Sequence, residues 1–109
     1  MPEISARVVL TTAGSIDEAR SLASALVEER LAACCTLLPA VESIYRWQGK
    51  VEKAAETLLL IKTTAERIAA LQERMHELHS YETPEFLVLP VESGSAAYLD
   101  WLAACVKSD

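Results

Sequence analysis

The chain has 109 residues, 51% of them hydrophobic and 24% charged, with three glycines and four prolines. That is one folded globular domain, since single cores usually occupy roughly 100 to 150 residues, and it excludes a disordered tail or a catalytic domain with a separate regulatory one. Sixteen acidic against ten basic residues leave a net charge of -6, which argues against a general electrostatic grip on nucleic-acid phosphates or anionic lipid.

The opening residues, Met1-Pro2-Glu3-Ile4-Ser5-Ala6-Arg7, carry none of the basic start, apolar stretch and cleavage site of a secretory signal. Apolar runs such as Leu58-Leu59-Leu60-Ile61 fall far short of the roughly 18 to 20 residues that span a bilayer. Three cysteines, two of them adjacent, make no disulfide framework. The expectation is a cytoplasmic protein with no membrane span.

Ala6 to Thr12 is β-branched and apolar and Ala13-Gly14 breaks it, so the first element is a strand buried over most of its length. Ser15-Ile16-Asp17-Glu18 reads as a capping box, with the Ser15 hydroxyl on the amide three residues on and Glu18 reaching back. The helix it opens sets Ala19, Leu22, Ala23, Leu26 and Val27 on one face and runs to about Leu31. From Ala33 to Trp47 β-formers dominate, interrupted at Pro39, which cannot donate to a ladder and marks a bulge or an edge. Gln48-Gly49-Lys50 supplies a turn, and Val51 to Lys62 runs back to complete a hairpin. Thr63 to Glu66 repeats the capping pattern ahead of a helical stripe of Ile68, Leu71, Met75 and Leu78 that closes near His79. After the loop Ser80 to Pro84, Glu85 to Val91 reads as a short buried strand. Ser93-Gly94-Ser95 then opens a last helix with Tyr98, Trp101, Leu102 and Cys105.

The order β-α-β-β-α-β plus a terminal helix places two right-handed crossovers around one hairpin. It predicts an α+β, ferredoxin-like split-βαβ sandwich, a four-stranded antiparallel sheet with two helices on one face. A strand from Ala33 to Trp47 would reach roughly 45 Å at about 3.3 Å per residue, whereas a 100-residue globule has a radius of gyration of about 13 Å. The hairpin must overhang its own domain, and a two-stranded ribbon is marginal alone in water. With Tyr45, Trp47 and Val51 on the overhang, the expected partner is a second copy of the chain.

Glu29-Arg30-Leu31-Ala32-Ala33-Cys34, Tyr45-Arg46-Trp47-Gln48-Gly49-Lys50, Leu60-Ile61-Lys62-Thr63, Tyr81-Glu82-Thr83-Pro84-Glu85 with Leu89-Pro90-Val91, and Tyr98-Leu99-Asp100-Trp101-Leu102 together resemble the CutA divalent-cation-tolerance family. The likeness covers about Val8 to Leu102, and several ordered motifs at the family's spacings make it specific. It implies a ferredoxin-like subunit in a compact homotrimer similar to PII signalling proteins, pockets between subunits, and a connection with copper and other divalent cations. The copper ligands proposed in such proteins are a Cys ending the first strand and a pair of His before the Tyr segment; the matching positions here are Thr11, Leu78 and His79. A soft-metal site wants thiolate and imidazole together, and His79 is the one such group retained.

His79 also suits a helix end, where the dipole favours a cation, and His76 lies three residues earlier on the same helix. Cys34 and Cys35, adjacent in a strand, should point to opposite faces and so cannot share one ion without a bulge; Cys34 and Cys105 read as small buried hydrophobes. Lys62, Tyr81, Thr83 and Glu85 are the polar residues expected at a ligand cleft for a small anionic metabolite, with a Lys62 to Glu85 ion pair holding the assembly as the structural alternative. Trp47 and Trp101 read as interface anchors. An acylphosphatase-type enzyme needs an Arg in the loop after the first strand, and Thr11-Thr12-Ala13-Gly14-Ser15 has none. An RNA-recognition module needs stacking aromatics on its central strands, where this chain has Val8, Val9, Leu10, Leu58, Leu59 and Leu60. The expectation is a non-catalytic homotrimer that binds copper or another divalent cation near His79 and responds to metal ions. The alternative is a small-molecule sensor or enzyme using the cleft of Lys62, Tyr81 and Glu85.

Overall fold

The computed structural model describes residues 4–107, so Met1, Pro2 and Glu3 of the opening segment lie outside it. Strand β1 (Ala6–Ala13) buries Val9, Thr11 and Ala13, since a pleated strand sends alternate side chains to one side. Helix α1 (Ile16–Glu28) covers them with Ala19, Leu22 and Leu26. The Ser15 hydroxyl accepts from the Glu18 amide at 3.1 Å, as its capping role predicts. The Glu18 carboxylate turns elsewhere, accepting from the Ser80 amide at 2.9 Å and the Ser80 hydroxyl at 3.0 Å.

The helix ends at Glu28 and not at Leu31. Arg30 takes φ 60°, its amide donates to Val27 O at 3.1 Å, and the Leu31 amide donates to Leu26 O at 2.9 Å. This is a Schellman ending with arginine in the left-handed position that glycine usually fills. Two contacts hold it there. Leu26 and Leu31 bury together in the core, and the Arg67 guanidinium donates to the Arg30 carbonyl at 3.2 and 3.1 Å. No glycine marks the stop, which is why helical periodicity overruns it.

Strands β2 (Cys34–Trp47) and β3 (Lys50–Thr64) form the long hairpin. Its loop is only Gln48 and Gly49, both at positive φ (51° and 80°), the geometry that matches the twist of the flanking strands. The bulge foreseen at Pro39 falls between Leu38 and Val41, with Ala40 at φ 60°. Thr63 and Thr64 remain in β3, and Thr63 donates its hydroxyl to Leu31 O at 2.7 Å, so the second capping box does not form. A 3-10 turn, Ala65–Arg67, leads instead into α2 (Ile68–Leu78), which buries Leu71 and Met75.

Strand β4 (Leu87–Pro90) and helix α3 (Ala96–Val106) complete the fold. The sheet order is β2-β3-β1-β4 with every neighbour antiparallel, the ferredoxin-like arrangement. Helices α1 and α2 cover one face. The other face is half-exposed at Val8, Leu10, Leu58 and Leu60, and α3 caps only one end of it, setting Leu102 and Val106 on Ala6 and Ala33. The expectation that β4 is buried is corrected: Leu87 and Leu89 are 54% and 46% exposed, because β4 is an edge strand that no described residue covers.

β3 pairs with β1 only from Thr57 to Thr64, yet pairs with β2 out to the turn. Val41 to Glu56 therefore projects as a free ribbon, and the subunit measures 46 × 26 × 22 Å. Ile44, Trp47 and Val51 on that ribbon are 61%, 52% and 63% exposed. The overhang expected from strand length is present.

Within the core, the Thr11 hydroxyl is fully buried, and it is the one buried side-chain polar atom without a hydrogen-bond partner among the described residues. A buried donor left unmade costs about 1 to 3 kcal/mol. Thr11→Val, which keeps the shape, should therefore raise the stability by about 1 kcal/mol or more. Urea denaturation checks this, and a loss of stability would show that the hydroxyl is bonded after all.

Candidate functional site: an acidic and aromatic cleft alongside the hairpin

The loop after α2 is pinned by a buried imidazole. The His79 side chain is wholly enclosed; its Nε2–H donates to Thr12 O at 2.7 Å, and Nδ1 accepts from the Tyr81 amide at 3.0 Å, with Glu18 Oε2 3.7 Å away. Burial raises the Glu18 carboxyl, but the Ser80 hydrogen bonds, joined by the Gly14 amide, outweigh it and leave the group below its ordinary value of 4.5.

That anchoring aims Tyr81. Its hydroxyl donates to Glu56 Oε2 at 2.7 Å, and its ring packs on His79 with centroids 4.7 Å apart. Burial, then the Glu56 hydrogen bond and charge, push the phenol pKa well up, so it stays a donor. Gly14 leaves room for it: a Cβ there would meet the Tyr81 hydroxyl at 3.3 Å.

Between this loop and the ribbon lies a cavity of about 380 Å³. Tyr45, Trp47 and Tyr81 give it aromatic walls, and Glu56, Glu82 and Glu85 give it three carboxylates. Thr12, Ser43 and Thr83 add hydroxyls. By register, Ser43, Tyr45 and Trp47 share a sheet face with Glu56, because they pair with Ala54, Glu52 and Lys50 on β3.

Of the four residues expected at a ligand cleft, Tyr81, Thr83 and Glu85 come together here. Lys62 stands apart: its ammonium donates to Cys34 Sγ at 3.4 Å and to the Thr36 hydroxyl, and the Lys62 to Glu85 ion pair does not form within the subunit. Sequence reasoning missed Glu56 and Glu82. The one signal for Glu56 was an acid placed immediately before the apolar run of β3, on the same face as Leu58 and Leu60.

The cysteines point to opposite faces, as adjacent strand residues must. Cys34 lies near Lys62 and the Tyr98 hydroxyl (3.9 Å), whereas Cys35 packs on the core. Burial, reinforced by Cys34, pushes the Cys35 thiol up to about 12, so at neutral pH it is no thiolate ligand.

The copper positions implied by the resemblance do not fit a metal. The Thr11 hydroxyl is buried within the core, Leu78 has no donor atom, and both His79 nitrogens are engaged with the backbone. Among the described residues no three His, Cys, Asp or Glu side chains lie together as a ligand set.

The topology and the cleft define a ferredoxin-like fold with a ligand-sized cavity alongside a projecting hairpin, lined from Glu56 at its base to Trp47 towards its tip. Residues 7–105 match the family model described as CutA1 divalent ion tolerance protein. The divalent-cation tolerance protein CutA of Thermus thermophilus is 53% identical over 95 residues, covering 87% of this chain and 92% of the relative. That of Pectobacterium atrosepticum is 45% identical over 106 residues, covering 97% and 96%. Among solved structures, CutA1 from Oryza sativa superposes with a TM-score of 0.93 at 36% identity, covering 98% of each chain. The chain belongs to the CutA1 divalent ion tolerance family.

Proposed function

We propose that this protein acts in the cytoplasm as a homotrimer in divalent-cation tolerance, binding copper or other divalent metal ions without catalysis. The observation that carries the assembly is the pair of open sheet edges, β2 with its ribbon at one side and β4 at the other. Two different patches that mate head to tail close into a ring, and three is the number that the family resemblance implies. The apolar side chains exposed on both, Trp47 and Val51 on the ribbon and Leu87 and Leu89 on β4, are those such a junction covers. Free Cys34, Cys35 and Cys105 suit a reducing compartment.

The non-catalytic reading is supported by the state of the groups nearest the cleft. Tyr81 is held protonated and His79 has no free nitrogen, so neither is poised for acid–base work. Divalent ions then engage carboxylate oxygens at the cleft mouth, Glu82 and Glu85, with the donor set completed across the junction. Calorimetric titration with copper and zinc should give weak saturable binding that falls several-fold in the double variant Glu82→Gln/Glu85→Gln. Binding unaffected by that variant would remove these residues from the metal site, and no binding to the wild type would remove the metal reading.

A second reading is favoured by the cavity itself. About 380 Å³ with three aromatic walls suits a small organic molecule better than a bare ion, and makes the cleft a small-molecule sensor site.

A further inference from the structure

We propose that the cleft binds a small organic ammonium ion, a protonated amine of a few carbons. This rests on the second reading above and supplies the chemical class of its ligand.

The expected metabolite was anionic because Lys62 was placed in the cleft. The structure removes that cation: Lys62 is bonded to Cys34 and Thr36, and among the described residues no Lys, Arg or His side chain lines the cavity. Three carboxylates do. One of them, Glu56, is nine-tenths buried, and no cationic side chain lies within ion-pair distance of it among the described residues. Its single hydrogen-bond donor is the neutral Tyr81 hydroxyl. A carboxylate withdrawn from water is stabilised by a nearby counter-charge, and none faces Glu56 among the described residues.

The walls decide which cation. A divalent ion needs oxygens converging at about 2.0 to 2.6 Å and gains nothing from aromatic faces, and no such convergence is present among the described residues. An ammonium on an apolar stem gains from both parts of this site. Its charge meets Glu56 and the faces of Tyr45, Trp47 and Tyr81, and its carbons displace water from the rings.

Trp47 lines the cavity and reports on its contents. In a Trp101→Phe background, its fluorescence is followed while the assembled protein is titrated at constant ionic strength. The probes are butylamine hydrochloride, butanol, sodium butyrate and zinc chloride. Butylammonium should saturate the signal, with butanol and butyrate inert at the same concentrations. Glu56→Gln should weaken the response by about tenfold. Glu85→Gln, at the mouth, serves as the second variant should Glu56→Gln fold poorly, and should weaken it by a smaller factor. Saturation by butanol or butyrate as good as by the amine would overturn the ammonium class while leaving the cleft a small-molecule site. Silence to every organic probe would overturn both. A butylammonium response that neither variant reduces, or a zinc response with none to the amine, would also overturn the proposal.

Discussion

Trp47→Ala should shift the proposed trimer to smaller species at micromolar concentration. Trp47 sits next to the Gln48-Gly49 loop at the tip of the ribbon and is 52% exposed, with Ile44 and Val51 nearby in the same state. The described residues leave these side chains more than half exposed, and a ribbon of two strands is marginal unless packed on a neighbour. In the proposed ring Trp47 would border the junction as well as the cleft; removing an interface tryptophan typically costs about 2 kcal/mol or more, a loss that three copies repeat at each contact. Gly49→Pro tests the same element through the backbone. Gly49 has φ 80°, whereas proline is locked near -65°, so the turn and the ribbon's pairing are lost while the body of the sheet is left in place. Sedimentation velocity across a hundredfold concentration range checks both variants. An unchanged species for both would sink the ribbon-junction account.

His79→Ala should destabilise the fold by about 2 to 4 kcal/mol, since it orphans two part-buried backbone groups and opens a space the size of a buried imidazole. The Thr12 carbonyl loses its donor at 2.7 Å and the Tyr81 amide loses its acceptor at 3.0 Å. The loop carrying Tyr81, and with it the hydrogen bond to Glu56, is released. Urea denaturation with an unchanged slope would read the loss as a shift in midpoint. A change below about 0.5 kcal/mol, the ordinary range for surface positions, would mean that His79 is dispensable to the fold and free for the ligand role expected from the sequence alone.

The elements that were readable without coordinates are those governed by near neighbours. The β-branched apolar run Arg7-Val8-Val9-Leu10 and the helical spacing of Leu22, Leu26, Leu71 and Met75 are local patterns, and both strands and helices appear where they point. The same holds for the Ser15 cap and the Gln48-Gly49 turn. The misreadings share a cause. The α1 stop at Arg30 depends on Arg67, distant in sequence, and the failed second cap reflects Thr63 bonding Leu31 across the layer. Likewise the exposure of β4 depends on what lies beyond its edge, to which its own apolar letters are blind.

The site divides along the same line. Tyr81, Thr83 and Glu85 are near one another in the chain and were named together, as they are found. Lys62, grouped with them by its motif, points instead to Cys34, because strand register and not proximity of motifs sets the direction of a side chain. Residue order alone was enough for the ferredoxin-like topology, the overlong hairpin and the family, since each follows from periodicity, turn chemistry and ordered motifs. Only the folded chain could make the cleft an acidic and aromatic one, by bringing Glu56 of β3 beneath Tyr81 and by engaging both nitrogens of His79. Such pairings join residues far apart in sequence, and their geometry arises only when the sheet, the helices and the loop pack together.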